Sequence, residues 1–151
     1  MRALIQRVGW CRVQVDGRDV NTTGPGMLVL LGIAGPDGEE DVRYLARKTA
    51  DLRIFEGDDG KMNLSLKDTA GDVMVVPQFT LVADTGKGNR PGFGGAALPE
   101  NAEPLYELFV REIKDQGIRV KTGIFGADMA VSLLNDGPVT ILLESKKQPE
   151  N

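Results

Sequence analysis

Apolar residues recur at two different periods along the chain, and the changes of period mark its elements. Over residues 3–20 the pattern predicts two strands. Leu4 and Val8 are apolar with Gln6 and Arg7 between them, Arg12-Val13-Gln14-Val15 alternates, and Asp16-Gly17 is a hairpin turn signal. Gly24-Pro25-Gly26 reads as a turn, and the apolar run from Met27 to Ile33 as a strand buried on both faces. Gly35-Pro36-Asp37-Gly38 ends that strand. Beyond it Val42, Leu45, Ala46, Thr49 and Leu52 fall on one face of a helix. Arg53-Ile54-Phe55 is a short strand and Asp58-Asp59-Gly60-Lys61 a turn. Val73 to Leu81 is a second strongly apolar strand, interrupted by Pro77, so its end is expected at an edge, a bulge or a site. Residues 84–99 are glycine-rich without a period and read as a loop. Pro104 to Gln116 reads as a second helix, with Leu105, Leu108, Phe109 and Ile113 inward and Gly117 at its end. Arg119–Thr122, Ala130–Leu134 and Val139–Leu143 are strands, the last two joined by a turn at Asn135-Asp136-Gly137-Pro138.

The length of 151 residues suits one domain, and 41% hydrophobic residues are enough for a core. No Pro/Ser-rich linker, repeat or low-complexity tract divides the chain. The expected architecture is therefore one compact α/β domain of the mixed α+β kind, over residues 1–145, followed by a polar tail over 146–151. The longest apolar run falls far short of the roughly 20 residues of a membrane-spanning helix. Gln6 and Arg7 stand where a signal peptide needs its apolar stretch, so a cytoplasmic protein is expected. The single cysteine, Cys11, has no internal disulfide partner, in keeping with a reducing compartment.

The chain contains no histidine. Ser-His-Asp and Cys-His catalysis in their usual forms are excluded, and so are most zinc sites. No metal or cofactor is expected. A net charge of −4 argues against a protein that coats long nucleic acid, but leaves room for one that grips only the end of an RNA.

Four segments carry candidate chemistry, each with a plainer reading beside it. Val76-Pro77-Gln78-Phe79-Thr80-Leu81 is either an ordinary strand edge or the polar rim of a pocket, with Gln78 orienting a ligand and backbone N–H groups holding an oxyanion. Asn135-Asp136-Gly137-Pro138-Val139-Thr140 is either a simple turn or a cis Gly-Pro device that aims two carbonyls the same way. Gly86 to Gly95 lacks the phosphate-loop and dinucleotide patterns and reads as a surface loop, with Lys87 and Arg90 as candidate phosphate contacts. Phe125-Gly126-Ala127-Asp128-Met129 is either core packing or a slot for a flat base.

These segments resemble the D-aminoacyl-tRNA deacylase family, and the resemblance runs from Met1 to about Leu143. Its start, Gly24-Pro25-Gly26, Leu52-Arg53-Ile54-Phe55 and Gly60-Lys61-Met62-Asn63-Leu64-Ser65 are all similar to family blocks. The family's Asn-x-Gly-Pro-Val-Thr signature is intact at Asn135 to Thr140. Its Ser-Gln-Phe-Thr-Leu signature stands here as Pro77-Gln78-Phe79-Thr80-Leu81, with proline replacing serine. The resemblance implies barrel-like β-sheets flanked by helices. It also implies a homodimer with active sites at the subunit interface, acting on the 3′ end of aminoacylated tRNA. Hydrolysis of D-aminoacyl-tRNA esters, and of glycyl-tRNA, would be assisted by the terminal adenosine's own 2′-hydroxyl. Gln78, Phe79 and Thr80 would line the reaction centre, and a cis Gly137-Pro138 would reach into the partner's pocket and reject L side chains. Arg7 would fix that pair, and Phe125 and Met129 would wall the terminal adenine. Proline at position 77 is shared with a related animal deacylase that clears L-alanine from a threonine tRNA, whereas Phe79 and Val139 side with the D-specific type.

Overall fold

A computed structural model describes residues 1–146. Strand β1 (Arg2–Val15) turns through Asp16-Gly17 into β2 (Arg18–Thr23), and β3 (Gly26–Gly32) follows. Helix α1 (Glu39–Asp51) leads to a small ribbon of β4 (Phe55–Glu56) and β5 (Met62–Leu64), a single turn α2 (Leu66–Thr69), and β6 (Asp72–Pro77). A 3-10 turn (Phe79–Val82), helix α3 (Pro99–Lys114), β7 (Arg119–Thr122) and β8 (Ala130–Glu144) complete the described chain.

The main sheet runs β2-β1-β3-β6-β7, with β8 also paired to β1. β3, β6 and β7 are mutually parallel, which requires the crossovers that α1 and α3 provide, and the pairs made by β1 are antiparallel. The sheet curls until its ends meet. Asn21 of β2 donates to the Thr122 carbonyl at 2.7 Å, and Lys121 of β7 donates to the Thr22 carbonyl at 2.8 Å. The result is the barrel-like body flanked by helices that the resemblance implies.

Strand alternation divides the core in two. Ala3, Ile5, Met27, Val29, Leu31, Val73 and Val75 face α1 and α3, packing on Leu45, Phe109 and Ile113. Val8, Cys11, Val13, Leu28, Met74 and Val76 fill the barrel. Cys11 and Val13 have the sequence parity of Ile5 yet point into the barrel. The pairing of β1 with β8 slips by one residue between Val8↔Asn135 and Trp10↔Leu134, and a one-residue bulge exchanges the faces.

Several expectations are corrected. β6 stops at Pro77, and the residues that follow wind into a 3-10 turn instead of continuing the strand to Leu81. The second long helix begins at Pro99, which occupies the first helical position where its missing N–H costs nothing, and Pro104 lies inside it. Leu105 is only half-buried, while Ala102, Tyr106 and Val110 join Leu108, Phe109 and Ile113 in the core. The expected hairpin over 130–143 is one strand, β8, because both of its halves pair with β1. Lys146, the first residue of the expected tail, has its ammonium 3.2 Å from Asp41 and 3.6 Å from Asp37. The remainder of the expected tail, 147–151, lies outside the described residues.

Candidate active site at the end of β6

Pro77 ends β6 at a place where its missing N–H has no partner to lose. Alternation puts that N–H on the β7 side, and the last bond there is from the Gly123 N–H to the Val75 carbonyl at 3.1 Å. On the other side Gln78 donates its backbone N–H to the Leu31 carbonyl at 2.8 Å. The chain then folds over Gly32 as the 3-10 turn. A Cβ on Gly32 would come within 2.8 Å of the Leu81 Cβ and 3.0 Å of the Gln78 carbonyl, so glycine is what lets the turn lie this close to β3. Within the turn the Gln78 side-chain amide donates to the Thr80 hydroxyl. The Phe79 ring is 57% exposed and meets Phe93 edge to face, with centroids 5.1 Å apart.

This strand end borders a largely apolar cavity of about 620 Å³. Pro77, Gln78 and Phe79 form one wall, and Phe125 and Met129 another. Leu31 and Val76 of the sheet, Phe93 of the glycine-rich loop, and Leu98 and Ala102 at the start of α3 also line it. The second wall is set by a tight turn. Gly126 has φ +77, the Ala127 N–H donates to the Ile124 carbonyl at 3.2 Å, and the Met129 sulfur accepts the Ile124 N–H at 3.4 Å. The Phe125 ring leans on Tyr106 at 5.9 Å. Burial pushes the Tyr106 phenol above its ordinary value, and its hydroxyl donates to the Val75 carbonyl at 2.9 Å, so it is a packing group beneath the wall. The cavity is apolar along Phe125 and Met129 and polar at Gln78, whereas Thr80 is exposed beside Gln78 and does not line it.

The remaining candidate residues lie elsewhere on the same chain. Arg7 is buried, donating from Nε to the Asp136 carbonyl at 3.1 Å and from a terminal nitrogen to the Ile54 carbonyl at 2.7 Å. Its guanidinium also stands 3.4 Å from the Asp136 carboxylate. It thus anchors the outward loop of β8 at 136–139, where the Gly137-Pro138 peptide bond is cis and both residues are exposed. That segment is a wide bulge inside β8, since Gln6 pairs with Thr140 and Val8 with Asn135. Gly137 and Pro138 do not line the cavity of their own chain. Lys87 and Arg90 are exposed on a loop closed by the paired backbones of Asp84 and Gly92, and they too stand outside the cavity.

The arrangement offers no side-chain nucleophile with a base. The chain has no histidine, and burial pushes the only thiol, Cys11, up to about 11, leaving it protonated at neutral pH. The residues missed from sequence are Phe93, Leu98, Ala102 and Gly32. Phe93 carried a weak signal, as a lone aromatic in the glycine-rich loop; the others carried none.

A family model described as D-Tyr-tRNA(Tyr) deacylase matches residues 4–144. The chain is 55% identical over 147 residues to the D-aminoacyl-tRNA deacylase of Anaeromyxobacter dehalogenans (strain 2CP-C), covering 97% of this chain and 99% of that one. It is 52% identical over 151 residues to that of Thermus aquaticus, covering 100% and 99%. Among solved structures, the c-Myc DNA unwinding element binding protein superposes with a TM-score of 0.92 at 40% identity, covering 97% of this chain and 100% of that one.

Proposed function

The chain belongs to the D-Tyr-tRNA(Tyr) deacylase family and is a hydrolase of D-aminoacyl-tRNA esters, and from that premise we propose that it acts as a homodimer in which each cavity is completed by Gly137-Pro138 of the other subunit. The terminal adenine lies between Phe125 and Met129, and the ester lies at Gln78, Phe79 and Thr80. Lys87 and Arg90 meet nearby phosphates. Water attacks with help from the substrate's own 2′-hydroxyl, and the protein contributes position and oriented backbone groups. Glycyl-tRNA fits because it has no side chain to reject.

The observation that carries this reading is the pairing of an apolar cavity, roomy enough for a base and its neighbours, with a polar strand end and no nucleophile–base pair. The dimer is supported by β8. Among the described residues its 15 residues pair only with β1, which leaves its other backbone edge open, and Leu134 and Leu142 are exposed along the strand. A long unpaired strand edge invites a second copy. Pro77 favours a second reading, with relaxed rejection of L-alanyl-tRNA.

Hydrolysis of D-tyrosyl-, L-tyrosyl-, L-alanyl- and glycyl-tRNA by the purified protein tests the assignment. The D-tyrosyl and glycyl esters are expected to be cleaved and the L-tyrosyl ester spared, and cleavage of L-alanyl-tRNA would favour the second reading. Failure on D-tyrosyl-tRNA would reduce the protein to a binder of nucleic-acid ends.

Thr80 is expected not to be a nucleophile. With only the Gln78 amide beside its hydroxyl it has no base. Thr80→Val should keep kcat within about tenfold of wild type, as for loss of one neutral hydrogen bond. An aminoacyl-Thr80 adduct trapped by mass spectrometry would refute this.

A further inference from the structure

We propose that Arg2 is a positioning residue for deacylation: its guanidinium, braced by Glu144, fixes the 3-10 turn that carries Phe79 and Thr80. The inference rests on the reading of that turn as part of the reaction centre.

Arg2 opens β1 between Gly32 of β3 and Glu144 of β8. Its Nε donates to the Glu144 carboxylate at 2.8 Å, and a terminal nitrogen donates to the Leu81 carbonyl at 2.8 Å. Two bonds from different nitrogens of one rigid plane fix both the direction and the rotation of the group. A short helical turn leaves its last carbonyls without internal partners. Here the Thr80 carbonyl takes the Ala83 N–H at 3.1 Å, and the Leu81 carbonyl is left to Arg2.

The turn is therefore held at two points. Its first end is held by the Gln78 backbone bond to Leu31, and its last by Arg2. Among the described residues no other side chain from outside the turn bonds to it. Between the two points lies Phe79, more than half exposed, with Phe93 of the loop closed by the Asp84 and Gly92 backbones as its aromatic neighbour. The sheet does not need the Arg2 side chain, because the Arg2 backbone is already paired on both sides. Loss of the guanidinium is thus expected to loosen the turn and leave the barrel intact.

The test compares wild type with Arg2→Met, Arg2→Lys and Glu144→Gln. It measures kcat and KM on D-tyrosyl-tRNA, thermal unfolding, and hydrogen exchange at the Leu81 and Ala83 amides, which are bonded within the turn. Arg2→Met should lower kcat about 10- to 100-fold, the scale of a small misplacement of reacting groups, with KM almost unchanged. Exchange at Leu81 and Ala83 should speed up while the β6 amides stay protected. Arg2→Lys should recover only part of kcat, since one ammonium cannot reproduce the planar fork. Glu144→Gln keeps an oxygen acceptor but loses the charge that braces the guanidinium, and should fall between wild type and Arg2→Met in kcat and in exchange at Leu81 and Ala83. The proposal is overturned if folded Arg2→Met keeps full kcat, if activity falls only in step with the folded fraction, or if exchange in the turn does not change. Should wild type itself fail on D-tyrosyl-tRNA, the functional reading fails, and the exchange arm still decides whether Arg2 holds the turn.

Discussion

Gly137→Ala is expected to lower hydrolysis of D-aminoacyl-tRNA by about 100-fold or more while leaving the fold and the dimer in place. Gly137 has φ +123, a conformation that L side chains rarely adopt. A Cβ there would stand 2.9 Å from an Arg7 nitrogen and 2.9 Å from a Val139 methyl. Arg7 cannot retreat, because it is buried and already bonded to the Ile54 and Asp136 carbonyls. The exposed residues 136–138 must move instead, and with them whatever they offer to a neighbouring cavity. Phe79→Ala should also be poorly active, for a different reason, since it removes part of the cavity wall.

The two variants together test the proposed assembly. If Gly137 serves the partner's cavity, a mixed dimer has one site with both defects and one site with none. Equal amounts, unfolded and refolded together, give half mixed dimers by chance. About a quarter of wild-type activity should then return from two nearly inactive proteins. A mixture no more active than its components would place Gly137 outside the partner's site.

The parts of the fold set by local periodicity were legible in the sequence, and the parts set by pairing were not. β3 and β6 read as buried strands because each is an unbroken apolar run, although the end of β6 was placed too late, and α1 read as an amphipathic helix because its apolar residues repeat at helical spacing. β5 and α2 were missed, being three and four residues long, too short to show a period. Asn135-Asp136-Gly137-Pro138 has the composition of a hairpin turn. Only the pairing of both flanks with β1 makes it a bulge, and that is decided by a strand more than a hundred positions away. The start of α3 was misplaced because Pro99 and Pro104 both suit a helix start and local sequence does not choose between them.

The candidate site divides in the same way. Pro77, Gln78, Phe79, Phe125 and Met129 stood in segments singled out from the residues themselves, each with a plainer reading that the resemblance weighed against, and the fold brings all five to one cavity. Phe93, Leu98 and Ala102 reach it only because the loop over 84–98 folds back on the residues that follow β3. The Ala97 N–H donates to the Ile33 carbonyl at 3.0 Å, and the Gly35 N–H to the Gly95 carbonyl at 3.0 Å. Nothing in their own spacing carries that information.

Gly26→Ala is expected to be the most damaging methyl group that can be added to this chain, costing about 3–5 kcal/mol of stability. Gly26 opens β3, paired with Val8 of β1 on one side and Asp72 of β6 on the other. A Cβ would be driven into the Asp72 backbone carbonyl. Neither side can yield cheaply. The Asp72 N–H donates to the Pro25 carbonyl at 3.0 Å, its carboxylate accepts the Gly24 N–H at 3.2 Å, and Arg119 lies 2.8 Å from that carboxylate. Relief of the clash would break this junction and with it the first step of the parallel register that continues to Leu31↔Pro77. For a domain of this size the loss should lower Tm by about 6–20 °C. Gly60→Ala supplies the comparison. Its φ is +73, but a Cβ there meets nothing within 4 Å, so only the backbone preference is offended and the cost should be about 1 kcal/mol. Urea unfolding of both variants measures the difference. Equal midpoints would show that close packing of β3 against β6 at Asp72 is not what requires glycine at position 26. A low midpoint for Gly26→Ala with lost deacylation at temperatures where the protein stays folded would show that the register begun there is carried along β6 to the site at its far end.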